Sequence, residues 1–421
     1  MKLVFNKKSV ANTTFRAIAL LIYLIISMLW MPDSQILLGY MSFYVLFDLV
    51  FLSRFNYLNS SVAFSIPWLL IFAFCAMNLS SFTKQISLTT VNICAIAIFI
   101  FNIFSEAGKR SGNKNLLPEN LDGSWMKIYF TLFMIMVIIN IALAGYIPAI
   151  KMVMTGDSGY KTFGISGVYG LFLAFSNAFG VLCFYSYITT GIKKYLFYYI
   201  TILLVFALFV TRQNIISLAI ETIFVYSCVR KRISNVKLLI IFSCVLFLFS
   251  VIGGLRSGNI KAIAQIKNEY LWIPDSIIWL YSYCYFNILN LDNLVNLPQV
   301  PMYDLSSLSN FIPAILRPKN EGVYFLEVIN FNVSSYMSSL YKDMGAIWVW
   351  FFTFIVSFYA GIRSRKMNKN KYFLTIAICS VLYFCAFFSF FVNFWTYLPV
   401  IFQIFFMFVF SKTAIKIKRI I

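Results

Sequence analysis

Long uninterrupted runs of apolar residues, separated by short polar stretches, dominate the chain from residue 17 to residue 411. The runs are about 16–20 residues long, whereas a strand of a membrane barrel alternates over about ten residues. A helix satisfies its backbone hydrogen bonds internally, whereas hydrocarbon offers no partner for backbone N–H and C=O groups. The pattern therefore predicts twelve transmembrane helices, at about residues 17–31, 36–52, 62–79, 88–104, 128–146, 169–189, 195–210, 213–229, 238–253, 345–362, 373–391 and 395–411.

The basic residues between these runs indicate how the chain is threaded. Under the twelve-span prediction, 24 of the 34 Lys and Arg residues, among them the N-terminal group that ends at Arg16, lie on one face and ten on the other. Cytoplasmic loops of membrane proteins carry the excess of Lys and Arg. We therefore expect both termini to be cytoplasmic, which the even number of spans requires. Two larger segments, 147–168 and 254–344, would then be external.

These two external segments differ in character. Residues 147–168 contain four glycines and little helical periodicity, so we expect a loop. Residues 254–344 form one large predicted loop between spans nine and ten. Within it, residues 270–291 are apolar and aromatic, but Pro274 and Asp275 interrupt them. An interfacial or re-entrant helix fits this stretch, because Trp and Tyr favour headgroup depth, and a partly buried loop helix fits it equally well.

Composition supports one polytopic membrane domain covering residues 1–421. The chain is 61% hydrophobic and 11% charged, with a mean hydropathy of +0.84, whereas a soluble domain carries about 25% charged residues. A formal net charge of +20 is also compatible with nucleic-acid binding. The cations cluster beside spans instead of forming one basic patch, however, so no nucleic-acid partner is expected.

The chain contains no histidine, the usual general base, proton shuttle and transition-metal ligand. This absence argues against zinc enzymes, Ser-His hydrolases and acyltransferases that use a His base. The eight cysteines lie mostly inside predicted spans and form no CxxC pair, which indicates neither a disulfide framework nor a zinc site. Chemistry without a metal or another cofactor would rely on Asp, Glu, Arg, Lys and Tyr.

Arg212 stands in a tight external turn between spans seven and eight. It has two interpretations, an interfacial anchor and a ligand for a lipid-linked pyrophosphate, since guanidinium pairs bidentately with phosphate oxygens. Asn214, Ser217 and Glu221 follow on one face of span eight. An ionisable group near mid-membrane usually faces the bundle interior. For Glu221, a structural role is slightly favoured over a catalytic one.

Other charged residues of the external segments are also candidates. Arg256 lies between Gly253-Gly254 and Gly258, where glycine lets the backbone turn sharply and approach a ligand. Asp157 and Lys161 lie in segment 147–168, and Asp343 lies at the mouth of span ten. Each alone is compatible with a solvated loop residue. Together they would bring both signs of charge to one external opening, which glycosyl or phosphoryl chemistry requires.

Four short motifs resemble those of a known family. Ala-Gly-Tyr-Ile-Pro at 144–148 and Phe-Gly-Ile-Ser-Gly at 163–167 are similar to elements of the O-antigen polymerases, the bacterial oligosaccharide repeat-unit polymerases. Thr211 and Arg212 resemble that family's Thr-Gly-Ser-Arg element, without its Gly-Ser. Tyr-Lys-Asp-Met-Gly at 341–345, with Gly361 at the end of the same span, resembles its Tyr-x-Asp-Phe-Gly element. Twelve spans with one large late external loop fit the family as well.

The resemblance implies a glycosyltransferase-type polysaccharide polymerase in the bacterial inner (plasma) membrane. A chain carried on undecaprenyl pyrophosphate would be the donor. Its reducing-end sugar would move onto a hydroxyl of a lipid-linked repeat unit at the outer face, without a metal or a nucleotide sugar. Membrane lipid and a chain-length regulator protein are the further partners that the resemblance implies.

The resemblance also assigns roles to the candidates. Arg212 and Arg256 would hold the pyrophosphate leaving group, while Lys161 and Tyr341 would contact the substrate. The base that activates the acceptor hydroxyl would come from the acidic candidates, namely Asp157, Asp343 and Glu221.

A lipid-linked oligosaccharide flippase is the alternative from another functional class. A flippase would place its cations along a central cavity and needs no large external loop. The predicted span interiors are nearly free of Lys and Arg, which favours the polymerase. A solute transporter gains little support, since no internal repeat is visible.

Overall fold

The computed structural model describes residues 7–30, 33–107, 120–121, 123–160, 162–165, 167–230, 232–304, 306–312, 316, 325–369 and 372–416. These residues are largely α-helical, with one two-residue antiparallel pairing between Asn120–Leu121 and Ile415–Lys416. The α-helices of this part of the chain are α1 (Lys7–Leu29), α2 (Ser34–Phe47), α3 (Ser60–Met77), α4 (Leu88–Ala107), α5 (Gly123–Ala144), α6 (Pro148–Thr155), α7 (Val168–Thr190), α8 (Lys193–Leu208), α9 (Arg212–Val229), α10 (Asn235–Ser257), α11 (Ile260–Ile263), α12 (Asp275–Val295), α13 (Tyr336–Lys369), α14 (Phe373–Phe387) and α15 (Leu398–Thr413).

Among the residues described, eight helical segments are long and apolar enough to cross a membrane. They contain α1, α2 with its following π-helical turn, α3, α4, α5 continued into α6, α7, α13 and α14. This is consistent with a multi-pass membrane protein. Each of the twelve predicted spans overlaps one of the described helices. The number of helices that cross the membrane, and their orientation, stay predictions.

Buried apolar side chains form two clusters, which divide the helices into two bundles. The first bundle consists of α1, α2, α3, α4, α12 and α13, and the second of α5, α7, α8, α9, α14 and α15. Residues 388–396, between α14 and α15, border both bundles, because Phe388, Phe391 and Trp395 pack against each cluster. We call residues 388–396 the junction segment.

Helix α6 lies within residues 147–168, which corrects the expectation of a loop there, and residues 254–344 contain helices besides the one expected at 270–291. Pro148 begins α6, a position that suits proline because the first helical N–H has no partner within the helix. Gly156, with φ of 76°, ends that helix. The helix α13 begins well before the predicted residue 345, and its backbone leaves helical geometry at Met344 and Gly345.

Helix α12 is a core element of the first bundle. Most of its side chains are buried, and its polar groups bind within the protein. Asn290 Nδ2 donates to the carbonyl oxygens of Phe331 (2.9 Å) and Val333 (2.8 Å), and Asp292 Oδ1 accepts from the N–H of Ser87 (3.0 Å). Of the two interpretations of residues 270–291, this burial favours the buried loop helix over the interfacial helix. The partners of its polar side chains come from distant parts of the chain, so the local sequence does not reveal them. Its composition alone, rich in aromatic residues, is also that of an interfacial helix.

Arg16 is the largest departure from the predicted charge pattern. The sequence places it in the N-terminal basic group, whereas its side chain is completely buried in α1. Its Nε lies 2.6 Å from Asp48 Oδ1, and its Nη1 lies 2.6 Å from Glu106 Oε2. Arg16 Nη2 donates to Ser53 Oγ (3.2 Å). The first bundle therefore contains a buried ion network that joins α1, the π-helical turn after α2, and α4.

Gly361 explains how closely two helices of this bundle approach each other. A Cβ at this position would lie 2.9 Å from the carbonyl oxygens of Phe104 and Ser105 in α4. Only glycine therefore lets α13 cross α4 at this distance. Close helix packing is therefore a sufficient reason for the glycine at position 361, which the sequence analysis grouped with the motif at 341–345.

Candidate functional site

Asp343 lies near the N-terminal end of α13, just before the break in that helix, and its side chain is buried. Its Oδ1 accepts a hydrogen bond from Ser306 Oγ (2.9 Å). Its Oδ2 accepts from the backbone N–H of Ser307 (3.0 Å) and from Ser307 Oγ. Hydrogen bonds to an ionised acceptor are stronger than those between neutral groups. The carboxyl of Asp343 therefore fastens the chain around residues 306 and 307 to α13.

The residues that precede Ser306 in the chain also contact α13. The N–H of Met302 donates to the carbonyl of Lys342 (2.8 Å). A Cβ on Gly345, which has φ of 72°, would lie 3.5 Å from Cγ of Pro301. Residues 300–304 and 306–311 thus form a loop that covers the N-terminal end of α13, and we call it the covering loop.

Asp304, which the sequence analysis did not single out, lies beside Asp343 in the covering loop. Its Oδ1 accepts from the N–H of Ser306 (3.1 Å), and its carboxyl is close enough to that of Asp343 for the two to interact electrostatically. Burial raises the pKa of Asp304, but the hydrogen bonds from Ser306, the neighbouring Asp343 and the charge of Lys342 outweigh that effect, so the pKa lies below its usual value. We call Asp304 and Asp343 the carboxyl pair.

The two members of the carboxyl pair differ in exposure. Asp343 is buried, whereas Asp304 is only partly buried and so remains partly accessible from solvent. Tyr341 is buried on the same end of α13, and its phenol lies near that of Tyr303, which is exposed. Two carboxyls and two phenols therefore gather where the covering loop meets α13.

The junction segment contacts the covering loop through residues 394–396. Several of its buried polar atoms have no hydrogen-bond partner within the described residues, namely Ser389 Oγ, Asn393 Oδ1, Trp395 Nε1 and Thr396 Oγ1. Buried polar groups are normally hydrogen-bonded, and each exception calls for an explanation such as water or a ligand. The surface between the two bundles is therefore rich in unused hydrogen-bonding capacity.

Asn287 adds to this polar surface from α12. Both of its side-chain atoms, Oδ1 and Nδ2, are buried, and neither has a partner in the described part of the chain. Tyr283, one turn earlier on the same helix face, packs against Phe391 of the junction segment with ring centroids 5.5 Å apart. Asn287 thus faces the junction segment. An amide buried without partners is costly in an apolar interior.

Glu221 lies in the second bundle and is buried, as the sequence predicts for an ionisable residue within a span. Gln403 of α15 donates from Nε2 to Glu221 Oε2 (2.6 Å), while Oε1 has no hydrogen-bond partner among the described residues. The bond joins α9 to α15. Its place among packed helices agrees with the structural interpretation of Glu221 and leaves it apart from the carboxyl pair.

Arg212 begins α9, and Thr211 is its N-cap residue, so the predicted turn between two helices is present. Arg212 is partly buried, with its Nε and Nη2 atoms away from solvent. Asn214 in the first turn accepts from Asn177 Nδ2 of α7 (2.7 Å). At 1.5 Å per residue, Glu221 lies about 14 Å further along the helix axis, so Arg212 and Glu221 do not pair.

Asp157 occupies an ordinary turn. Its side chain is 77% exposed, and its Oδ2 lies 3.8 Å from Lys151 Nζ. Its Oδ1 accepts from the N–H of Gly159 (3.0 Å). Across the described ranges, no hydrogen bond or ion pair connects Asp157 with the carboxyl pair. Its surroundings are those of a solvated loop residue.

Two further predicted residues are described only in part or not at all. Arg256 belongs to the last turn of α10, so Gly253 and Gly254 lie inside a helix, which corrects the predicted turn. A Cβ on Gly253 would lie 2.8 Å from Trp279 Cε2, so this glycine permits close packing of α10 on α12. Only Gly258, with φ of 80°, ends the helix. Lys161 lies outside the described residues.

Of the predicted site residues, Asp343 and Tyr341 therefore lie together, whereas Glu221 and Asp157 occupy separate surroundings. Asp304 was missed because it interacts with Asp343 only after the chain folds back. Its one sequence signal is an Asp followed two residues later by Ser306, a pattern typical of a turn closed by an Asp side chain. Within the described residues, no group of His, Cys, Asp and Glu side chains suited to a metal ion is found.

Comparison with protein-family models, with curated proteins and with solved structures gave no match for this chain.

Proposed function

We propose that this protein polymerises lipid-linked oligosaccharide repeat units. The donor is a chain on undecaprenyl pyrophosphate, and the acceptor is a hydroxyl of a single lipid-linked repeat unit. The observation that supports this best is the carboxyl pair. Asp343 of α13 binds the covering loop, which carries Asp304 and contacts the polar junction segment. The motif resemblance at 341–345 includes one member of the pair, Asp343.

The carboxyl pair supplies the proton transfer in this proposal. As the acceptor oxygen forms its bond to the anomeric carbon, the bond from that carbon to the pyrophosphate oxygen breaks, and the electron pair leaves with the pyrophosphate. The acceptor hydroxyl must then lose its proton, and a positioned carboxylate is suited to receive it. Asp304 is the proposed proton acceptor, because it is the more accessible carboxyl. Asp343 is a positioning residue that orients Asp304 and holds the covering loop.

The remaining parts of the site would bind substrate. Arg212 at the start of α9 and Arg256 at the end of α10 are the proposed ligands of the pyrophosphate, whose developing charge a guanidinium neutralises. The unpartnered groups of the junction segment and Asn287 suit the hydroxyls of sugars, since both sides then form hydrogen bonds that they otherwise lack. This proposal needs no metal.

The flippase alternative predicts free cations in the protein interior. Among the described residues, Arg16 is the one completely buried Lys or Arg, and Asp48 and Glu106 neutralise it. A neutralised cation is not available to a lipid pyrophosphate, so Arg16 lends the flippase no support.

Deletion of the gene in its native host tests this function directly. Loss of the polymerase should leave surface polysaccharide of one repeat unit, because units still cross the membrane and are still transferred. Electrophoresis of the polysaccharide measures this. A complete absence of repeat units would indicate a flippase instead, and unchanged chain length would exclude both functions.

Complementation of the deletion strain controls the experiment and tests Arg212. The wild-type gene should restore long chains. Arg212→Lys should restore them poorly if bidentate pairing with phosphate is required, since an ammonium group lacks the planar pair of donors. Full restoration by Arg212→Lys would reduce Arg212 to a simple charge or an interfacial anchor.

Replacing Asn287 separates function from packing. Asn287→Leu should raise the thermal unfolding temperature, because an apolar side chain of similar volume removes two unpartnered polar atoms from the interior. If the amide contacts sugar, the same change should shorten the polysaccharide chains. Thermal unfolding of the purified protein and electrophoresis of polysaccharide from the complemented strain measure the two effects. A stabilised variant with normal chains would remove Asn287 from the site.

A further inference from the structure

A cavity of about 370 Å³ lies between the N-terminal ends of α5 and α8, far along the chain from the carboxyl pair. Gly123, Ser124 and Lys127 line it from α5, and Lys194, Tyr195 and Tyr198 line it from α8. Under the predicted orientation it opens at the cytoplasmic face. We call it the α5–α8 cavity.

The charged residues among those that line the cavity are all basic. Lys127 and Lys194 line it, and Lys193 is adjacent. Neither α5 nor α8 carries an acidic residue in its first turn. The ion pairs found in the described residues involve none of these lysines. The N-terminal end of a helix carries a partial positive charge, so lysines placed there are repelled by the helix unless an anion is present.

The walls of the cavity are built from packed side chains. A Cβ on Gly123 would lie 3.7 Å from the hydroxyl oxygen of the buried Tyr195. Lys194 Nζ lies 5.6 Å from the centroid of the Tyr198 ring, which stacks on Phe130 with centroids 4.0 Å apart. The cationic wall of the cavity is therefore supported by rings that belong to the second bundle.

Exposed apolar side chains neighbour the lining residues of the cavity in sequence. They are Trp125 and Ile128, next to Ser124 and Lys127 in α5, and Phe197, next to Tyr198 in α8. A ligand that fits both surroundings carries an anionic group and an apolar tail. Basic pockets between transmembrane helices on the cytoplasmic side bind anionic lipid headgroups in this way. We infer that the α5–α8 cavity binds the phosphate of an anionic phospholipid, with its acyl chains against these three side chains.

Thermal unfolding of the full chain in an uncharged detergent tests this inference. Phosphatidylglycerol should raise the unfolding temperature by about 2–4 °C in a concentration-dependent manner, because a ligand that binds only the folded state stabilises it. Phosphatidylcholine, which carries no net charge, should have little effect. Inorganic phosphate provides a third arm. If phosphate alone reproduces the full shift, the site binds a soluble anion and the lipid assignment is wrong.

The double variant Lys127→Gln/Lys194→Gln should lose the response to phosphatidylglycerol. The matched control is Lys237→Gln/Lys366→Gln, which removes two exposed lysines outside the cavity and should keep the response. Native mass spectrometry should find fewer retained phosphatidylglycerol molecules on the first variant than on the second. Equal responses of the two variants would overturn the inference, whatever the outcome for chain growth.

Asp122 precedes α5 in the sequence and lies outside the described residues. If its carboxylate competes with the lipid phosphate, Asp122→Asn should strengthen the response to phosphatidylglycerol. A lost response in this variant would contradict an anion site that is built on Lys127 and Lys194.

Discussion

Asp304→Asn is expected to reduce polysaccharide chain extension at least about 100-fold, since a positioned general base contributes roughly that much or more. The amide still accepts a hydrogen bond from the N–H of Ser306, so the turn in the covering loop persists. It cannot receive the proton of the acceptor hydroxyl. The measurement is chain growth by purified protein in vesicles that contain lipid-linked repeat units.

Asp343→Asn should also reduce chain extension, although through Asp304. An amide oxygen at this position still accepts from the N–H of Ser307, but the carboxyl that interacts electrostatically with Asp304 is lost. If Asp343 acts through Asp304, this variant should move the pH at which activity is half-maximal. A purely structural role of Asp343 would lower the amount of folded protein and leave the pH profile unchanged.

Two other variants distinguish the carboxyl pair from the alternatives drawn from the sequence. Asp157→Asn removes a carboxylate that is largely solvent-exposed, and it should leave chain growth nearly unchanged. Glu221→Gln keeps a polar side chain beside Gln403 and tests whether a charge is needed within the second bundle. Normal chain growth in Asp304→Asn, with loss in Asp157→Asn or Glu221→Gln, would transfer the role of base to the residue affected.

The sequence predicted helices well, because an apolar run long enough to span a bilayer must satisfy its backbone within a helix. Each of the twelve predicted spans therefore overlaps a helix. The sequence predicted the position of α12 less well. A buried helix whose polar groups form hydrogen bonds within the protein has the same composition as an interfacial helix. Tyr281 and Tyr285 favour headgroup depth, yet the structure stacks their rings 5.3 Å apart inside the first bundle.

The candidate site was likewise predicted only in part from the sequence. The motif at 341–345 identified Asp343 and Tyr341 because their neighbours in sequence carry the signal. The partners of Asp343 are Asp304, Ser306 and Ser307, which reach it only because the covering loop folds back over α13. Local sequence does not encode that contact. The polar surface of the junction segment was missed for a similar reason, since it forms where two bundles meet.

Arg16 was missed because hydropathy treats a cation near the start of an apolar run as the boundary of a span. Its partners, Asp48 and Glu106, come from other helices and neutralise it. A charge buried in this way is stable only as part of the complete network. The network therefore predicts a large effect on stability from one substitution far from the candidate site.

Arg16→Met is expected to lower the free energy of unfolding by about 3–5 kcal/mol, because it leaves two buried carboxylates without their cation. Chemical unfolding of the purified protein in detergent, followed by tryptophan fluorescence, measures the change. The matched control is Lys84→Met. Lys84 pairs with Glu327 at 2.8 Å, but its side chain is 55% exposed, and an ion pair at the surface contributes less than about 1 kcal/mol.

The combined variant Arg16→Met/Asp48→Asn/Glu106→Gln shows whether charge is the cause. It should be more stable than Arg16→Met alone, because neutral amides in the same places need no cation and the network no longer contains an unpaired charge. If Arg16→Met costs no more than Lys84→Met, the buried network does not stabilise the first bundle. If the combined variant is the least stable of the three, the side chains act through packing and hydrogen bonds to Ser53 and Asn102 rather than through charge.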